Sequence, residues 1–496
     1  REIQRNQMVR IFVLICIVLT FCVSFADSNR KLSGKHLETP PTIDGKVDID
    51  EWKDAGHTAG FVSIESGRES EFRTEFYAGF DDAAMYFGFI MHDPEPSLIR
   101  ALEYRRNGNI SGDDLIQIAI NPFGTFRSED FNMFFINPRG ATRAQFAGGR
   151  AAKREWEGEW VAQAQITERG WEAEFVIPFK ILRLPSAGTR NFTINAARVV
   201  ARAQQGTIWS NIGLNEDMRR MGIWEDVIVP VSKEPQSIQA LPYTIGGYDK
   251  ENKSETELGI DFRHQFGSKM TGLATINPDF KNIEGDVLGI EFSRFERLAE
   301  ERRPFFREGA DFYQYGGMSA RMFAPQRIRQ IDFGVKVFGK ATDSLSFGVL
   351  HAEKFSEESA SVVRFRETWD SGSSINLGYS RRHTSSFRND GVGLDASYKT
   401  GNWNISTNLG HTIDSIVGNG HRMDFDFSHN SGGLNSSVGW QEITSKFLPR
   451  LGFAPRTGYR GWSVFNRYGR EFTSGNVSNV FALSSWQDRK DIETGE

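Results

Sequence analysis

The chain reads as all-β: an N-terminal β-sandwich followed by an antiparallel transmembrane β-barrel. Three observations predict this. Its 496 residues combine 40 Phe, 11 Tyr and 11 Trp with 49 Gly and only two Cys, an aromatic and glycine content suited to strands and turns. No apolar run reaches the roughly 18 residues a membrane-crossing helix needs, and the mean hydropathy is −0.44. From about residue 238 onward, short segments alternate apolar and polar side chains one after another. Hydrophobic residues at 39% and charged residues at 25% give a large core and exclude a disordered chain. A net charge of −5 gives no basic footprint for a nucleic-acid partner.

The first element is an export signal. Residues 11–26 are almost wholly apolar, Arg10 precedes them, and Ser24-Phe25-Ala26 forms a small-x-small cleavage site. A signal peptide is expected over 8–26, with Met8 as initiator, because a stretch this short does not comfortably cross a ~30 Å hydrocarbon core. Both cysteines, Cys16 and Cys22, lie inside it, so the mature chain has neither disulfides nor thiolate metal sites. Phe21 before Cys22 argues against a lipoprotein. The expected destination is the outer membrane of a Gram-negative-type bacterium.

Residues 36–230 carry short strand-like runs broken by turn residues. Thr74-Glu75-Phe76-Tyr77-Ala78-Gly79-Phe80 and Met85-Tyr86-Phe87-Gly88-Phe89-Ile90 flank Asp81-Asp82. Leu115-Ile116-Gln117-Ile118-Ala119-Ile120 and Trp171-Glu172-Ala173-Glu174-Phe175-Val176-Ile177 continue the pattern, which suggests a β-sandwich. Pro230-Val231-Ser232-Lys233-Glu234-Pro235 reads as a linker.

Residues 236–496 read as the barrel, with roughly 12–14 alternating segments at the ten-residue length of a membrane strand. Val335 and Val337 alternate with Gly334 and Lys336. Ile375, Leu377 and Tyr379 alternate with Asn376, Gly378 and Ser380. Met423, Phe425 and Phe427 alternate with Asp424 and Asp426. One face would meet lipid and the other a wet lumen; a second soluble sheet domain is the alternative. The final residues, Asp491-Ile492-Glu493-Thr494-Gly495-Glu496, are polar and turn-like, where outer-membrane barrels usually close on an aromatic, so further strands are expected.

The N-terminal half resembles the family 9 carbohydrate-binding modules. The residues carrying this are Pro41-Thr42-Ile43-Asp44-Gly45 with Glu51-Trp52, Phe80-Asp81-Asp82, Asp113-Asp114-Leu115, Trp171-Glu172-Ala173-Glu174 and Asn195-Ala196-Ala197-Arg198. The resemblance implies a sandwich and a poly- or oligosaccharide ligand, clamped in that family between two tryptophans. Here those positions fall near Ile110 and Asn215, neither aromatic, and sugar faces need an aromatic platform. Candidate sugar contacts are therefore Trp156, Trp160 and Asn215, while Trp52, Trp171 and Trp209 are expected in the core. The resemblance also makes Asp44, Asp48 and Asp50 candidate calcium ligands; a solvated acidic turn is the alternative.

The C-terminal half is similar to the uncharacterised domain-of-unknown-function family 5916, in which such a module precedes an outer-membrane barrel. Asn277-Pro278-Asp279-Phe280-Lys281-Asn282 and Glu301-Arg302-Arg303-Pro304-Phe305-Phe306-Arg307-Glu308 carry it, with Phe333-Gly334-Val335-Lys336 and Leu451-Gly452-Phe453. Arg302 stands where that family usually has Lys, and Glu300 where it has Pro. The resemblance brings no activity with it.

No sequence pattern commits the mature chain to catalysis. There is no zinc HExxH, no phosphate-cradling GxxxxGK[ST] and no nucleophile elbow. Gly391-Val392-Gly393-Leu394-Asp395-Ala396 formally matches a dinucleotide fingerprint, but it sits in an alternating strand. The segment 296–312 is the most charged and aromatic between strands. Arg302, Arg303, Arg307 and Glu308 there form a candidate constriction whose arginines would pair with acids across the barrel. The other reading is an ion-paired periplasmic turn that holds the sandwich to the barrel. The expected function is a non-enzymatic outer-membrane protein that binds or takes up carbohydrate or related solutes. A glycan-capturing accessory of polysaccharide catabolism and a purely structural envelope protein are the alternatives.

Overall fold

The computed structural model describes residues 29–64, 66–127, 130–148, 159–213, 217–231, 238–249, 253–278, 301, 303–317, 320–369, 372–431, 433–472, 475–477 and 479–495. The expected signal peptide, Trp156, Asn215 and Arg302 lie outside them. No helix among the described residues is long and apolar enough to cross a membrane. The chain is all-β.

Two sheets make the sandwich. One has eight strands, running Lys31–Ser33, Gly222–Val229, Gly188–Val200, Leu115–Asn121, Asn132–Ile136, Thr142–Gln145, with Gln205–Ile208 and Val62–Ser63 at its side. The other has five, in the order Gly56–Thr58, Thr74–Phe80, Ala84–His92, Gly170–Pro178, Val161–Thr167. Their inner faces build one aromatic core drawn wholly from residues 32–229, with Phe76, Phe87, Phe175, Trp171 and Trp224 fully enclosed. The central strands are buried on both faces, which is why Ala84–His92 reads as a nearly continuous apolar run rather than an alternation.

The second unit is a single sheet of 13 antiparallel strands in sequential order, each paired to the next. The strands are Ile238–Asp249, Lys253–Phe266, Met270–Ile276, Phe333–Lys340, Leu345–Lys354, Glu358–Thr368, Ser374–Thr384, Arg388–Thr400, Trp403–Asp414, Gly418–Ser431, Leu434–Ile443, Tyr459–Glu471 and Asn479–Asp491. Among the described residues the first and last do not pair with each other.

Register makes the sheet two-faced. Tyr398, Ile405, Phe427, Val438, Val464 and Trp486 form one row across six strands on the outer side. Leu377, Val392, Phe425 and Trp462 share that face and are likewise exposed. The inner side carries Asp261, Lys336, Arg364, Asn376 and Arg422, all buried. Because strand side chains alternate with period two, a one-residue slip would exchange the faces.

Two connections at one end of this sheet turn inward over their described residues: 303–317 with 320–332, and 444–458. At the other end the connections are short, as at 267–269, 341–344, 401–402. The sandwich sits against that short-turn end. Leu184 N–H donates to Ser268 O at 3.3 Å, and Arg68 Nη2 donates to Val477 O at 2.6 Å. Arg183 lies half-buried between the units, its guanidinium 5.0 Å from the Phe312 ring centre and 4.9 Å from that of Phe338.

Candidate functional site

In the sandwich, two sequence stretches far apart meet through buried carboxylates. Glu174 Oε2 accepts the N–H groups of Asp44 and Gly45, both at 3.0 Å. Its Oε1 accepts from Trp52 Nε1 at 2.9 Å, and Glu172 accepts from Val47 N–H at 2.9 Å. Gly45 adopts φ +92°, and a Cβ there would lie 2.9 Å from the Ala164 nitrogen, so this turn requires glycine. Burial pushes the Glu174 carboxyl up to about 7, against the three N–H groups that favour its ionised form. The Ile43-Asp44-Gly45, Glu51-Trp52 and Trp171-Glu172-Ala173-Glu174 motifs are thus one lock of the fold.

A second polar cluster ties the two sheets. Arg198, fully buried, donates to the backbone oxygens of Phe72, Arg73 and His92. Arg202 grips Asp93 through two contacts of 2.6 Å. Burial opposes the Asp93 charge, but the bonds from Arg202 and the Glu95 N–H outweigh it and hold the carboxyl below its ordinary range.

The proposed sugar and metal contacts of the sandwich are placed as follows. Trp160 is 5% exposed, with Phe134 edge-on at 5.0 Å and Phe175 parallel at 6.4 Å, so its ring belongs to the core. Trp52, Trp171 and Trp209 are buried as well. Ile110 is buried too, so an aromatic there would need a different loop. Asp48 caps a one-turn helix, Ile49–Trp52, through the Asp50 N–H, and Asp44 accepts from Lys46 N–H at 2.9 Å. Among the described residues no three His, Cys, Asp or Glu side chains converge as a metal-ligand set, so Asp44, Asp48 and Asp50 do not meet at one point. Among the described sandwich residues, an exposed aromatic that sequence reasoning passed over is Tyr104, 73% exposed; a single tyrosine among charged neighbours carries no periodicity to mark it.

In the 13-stranded unit, the described residues of one connection, 301, 303–317 and 320–331, lie along the inner face. Its short helix, Pro304–Arg307, follows Arg303. The Arg303 guanidinium pairs with Glu301 at 2.6 Å, donates to Pro325 O at 2.9 Å and Arg329 O at 3.0 Å, and covers the Phe306 ring at 4.4 Å. Arg303 therefore closes the insert on itself. The expectation that insert arginines pair with acids on the wall is reversed: the wall supplies most of the cations. Arg263 binds Glu308 at 3.2 Å, Lys336 donates to Glu308 O, Arg364 donates to Asp311 O at 3.1 Å, and Arg422 to Ala320 O. The physical reason is that a one-turn helix and irregular chain leave many unpaired carbonyls, which buried cations satisfy.

The inner wall is shaped for this insert. Gly378, Gly393 and Gly410 lie in one row between Arg364 and Arg422. A Cβ on Gly378 would fall 2.4 Å from the Tyr315 ring. The Gly391-Val392-Gly393 pattern is thus a groove for Tyr315 and Met322, not a phosphate turn. The 444–458 connection joins in: Ala324 N–H donates to Leu451 O at 2.6 Å, and Arg321 and Phe453 exchange backbone bonds of 2.8 Å.

A cavity of about 500 Å³ remains where the sandwich strand Thr142–Gln145 faces the insert, bordered by Arg143, Glu301, Phe306, Arg307, Arg321 and Phe323 among others. Arg307 of the sequence-derived set thus lines open space, whereas Arg303 and Glu308 serve bonds within the insert and to the wall. Arg143 and Arg321 carried no sequence signal, since they come from different units.

Residues 235–333 match the model of a domain of unknown function, DUF5916. No curated protein matches the chain. Among solved structures, the chain is similar to a family 9 carbohydrate-binding module from Caldicellulosiruptor kristjanssonii in complex with cellotriose. The identity is 17% over 42% of this chain and 96% of that one, with a TM-score of 0.30. It is also similar to a putative carbohydrate-binding protein from Bacteroides uniformis, at 16% identity over 40% of this chain and 99% of that one, with a TM-score of 0.32. A BenF-like porin from Pseudomonas fluorescens is 10% identical over 76% of this chain and 92% of that one, with a TM-score of 0.29.

Proposed function

We propose that this chain is a non-enzymatic outer-membrane β-barrel protein that binds or takes up carbohydrate or related solutes. The observation that carries the reading is the two-faced sheet. Its outer row is aliphatic and aromatic, and its inner side holds buried Lys336, Arg364 and Arg422, the arrangement a lipid exterior and a polar interior require. The carbohydrate class rests on the motifs over 36–230 that resemble family 9 modules. Membrane barrels keep short turns on the periplasmic side and longer loops outside. On that rule we read the sandwich as periplasmic, over a mouth whose lumen holds residues 303–317, 320–331 and 444–458.

A filled lumen makes a conditional passage rather than an open pore. The test is reconstitution of the complete protein into planar bilayers. The expected result is insertion with small conductance, raised by Arg303→Ala, which frees the insert, and altered when a panel of oligosaccharides is added. A protein that stays in solution with no bilayer activity would overturn the membrane reading.

A further inference from the structure

The cavity between the sandwich and the insert has an unusual charge balance. Arg143 reaches it from the sandwich strand Thr142–Gln145, and Arg307 and Arg321 from the insert. Its lining carboxylate, Glu301, is already gripped by Arg303 at 2.8 Å and 2.6 Å. Among the described residues none of the three lining arginines has an ion pair; Arg143 has only the Phe135 ring, 5.8 Å from its guanidinium carbon. Guanidinium groups stay protonated at any physiological pH. Three of them around one space of about 500 Å³, Arg143 and Arg307 half-buried and Arg321 exposed at its rim, raise the local positive potential and favour an anion there. Their planar forks suit carboxylates, which they bind in bidentate fashion.

The remaining lining selects more than charge. Gln145 and Gln314 bring amides able to meet hydroxyl groups, and Phe306, Tyr313 and Phe323 bring aromatic surface. The volume falls in the range of small-ligand sites. We infer that this cavity binds a sugar acid of one or two rings, its carboxylate held by Arg307 and Arg321 and its far side by Arg143. Such a ligand would bridge the two units, so that its arrival is felt by both the sandwich and the luminal insert. The inference rests on the reading above that the chain handles saccharide-like solutes, and it names their class.

The test is calorimetric titration of the complete chain in detergent with D-galacturonate, digalacturonate, D-galactose and inorganic phosphate. The expected result is saturable binding of a galacturonate and none of galactose. Arg307→Gln and Arg321→Gln should each weaken the Kd about tenfold or more, the loss of one charge-assisted hydrogen-bonded contact. Arg307→Lys should recover part of it, and added salt should weaken it. Arg190→Gln, on the sandwich surface away from the cavity, should change nothing, and far-UV circular dichroism shows that each variant is folded. Equal binding of galactose, phosphate binding as tight as galacturonate, affinity indifferent to both glutamine variants, or no binding at all would each overturn the site. Bilayer insertion of the same preparation separates the two readings. Insertion without galacturonate binding sinks the site alone, and binding without insertion sinks the barrel.

Discussion

Glu174 is a carboxylate placed where charge is costly. Its folded-state value of about 7 lies above the ordinary 4.5, so the folded chain keeps a proton that the unfolded chain releases between those two values. Stability from this group is therefore fully present below about 4.5 and declines as pH rises to about 7, by at most about 3 kcal/mol. Because the sandwich core is self-contained, residues 29–231 serve for the measurement. Urea unfolding at pH 5 and pH 8 should differ, and Glu174→Gln should flatten the difference. Trp160 makes a second prediction at this scale. Enclosed by Phe134 and Phe175, it should cost about 3–5 kcal/mol when changed to Ala; an unchanged melting temperature would return it to the list of surface aromatics.

At the scale of elements, the luminal insert depends on one side chain more than on its helix, which is a single turn. Arg303 joins Glu301 to the carbonyls of Pro325 and Arg329, so both ends of the insert hang on it. Breaking a buried, hydrogen-bonded ion pair costs about 3–5 kcal/mol. Arg303→Ala should therefore expose the insert to limited proteolysis while the strands stay protected from hydrogen exchange. The strands make a complementary prediction. Leu377 faces outward and Asn408 inward by register. Leu377→Arg should reduce membrane insertion, costing about 2–4 kcal/mol near the bilayer centre, whereas Asn408→Arg should leave insertion intact. Equal effects would mean that the outer row does not face lipid.

At the scale of the whole molecule, two cores meet through polar and cation–π contacts rather than a shared apolar layer. Arg183 makes one of these, donating to Ala147 O at 2.9 Å while covering Phe312 and Phe338. Arg183→Ala should leave each core folded and speed protease cutting between the units. The same seam holds the arginine-lined cavity, so a ligand there and the docking of the sandwich should reinforce each other.

Much of this was legible in the linear chain. Alternation in Ser374–Thr384, Arg388–Thr400 and Gly418–Ser431 follows from a sheet with apolar side chains on one face and polar groups on the other, and period two is a local property that sequence displays. The aromatic runs Thr74–Phe80 and Ala84–His92 likewise announced buried strands. What only the tertiary structure decided was partnership between distant residues. That Arg303 would choose Glu301, that Gly378 and Gly393 would make room for Tyr315 and Gly410 for Phe447 and Met322, and that Arg143 would stand opposite Arg307 and Arg321 depend on where the 301–331 connection folds. Irregular chain has no period to read: its course is set by which buried carbonyls and charges find partners across the lumen, and those partners come from strands that the sequence keeps far apart.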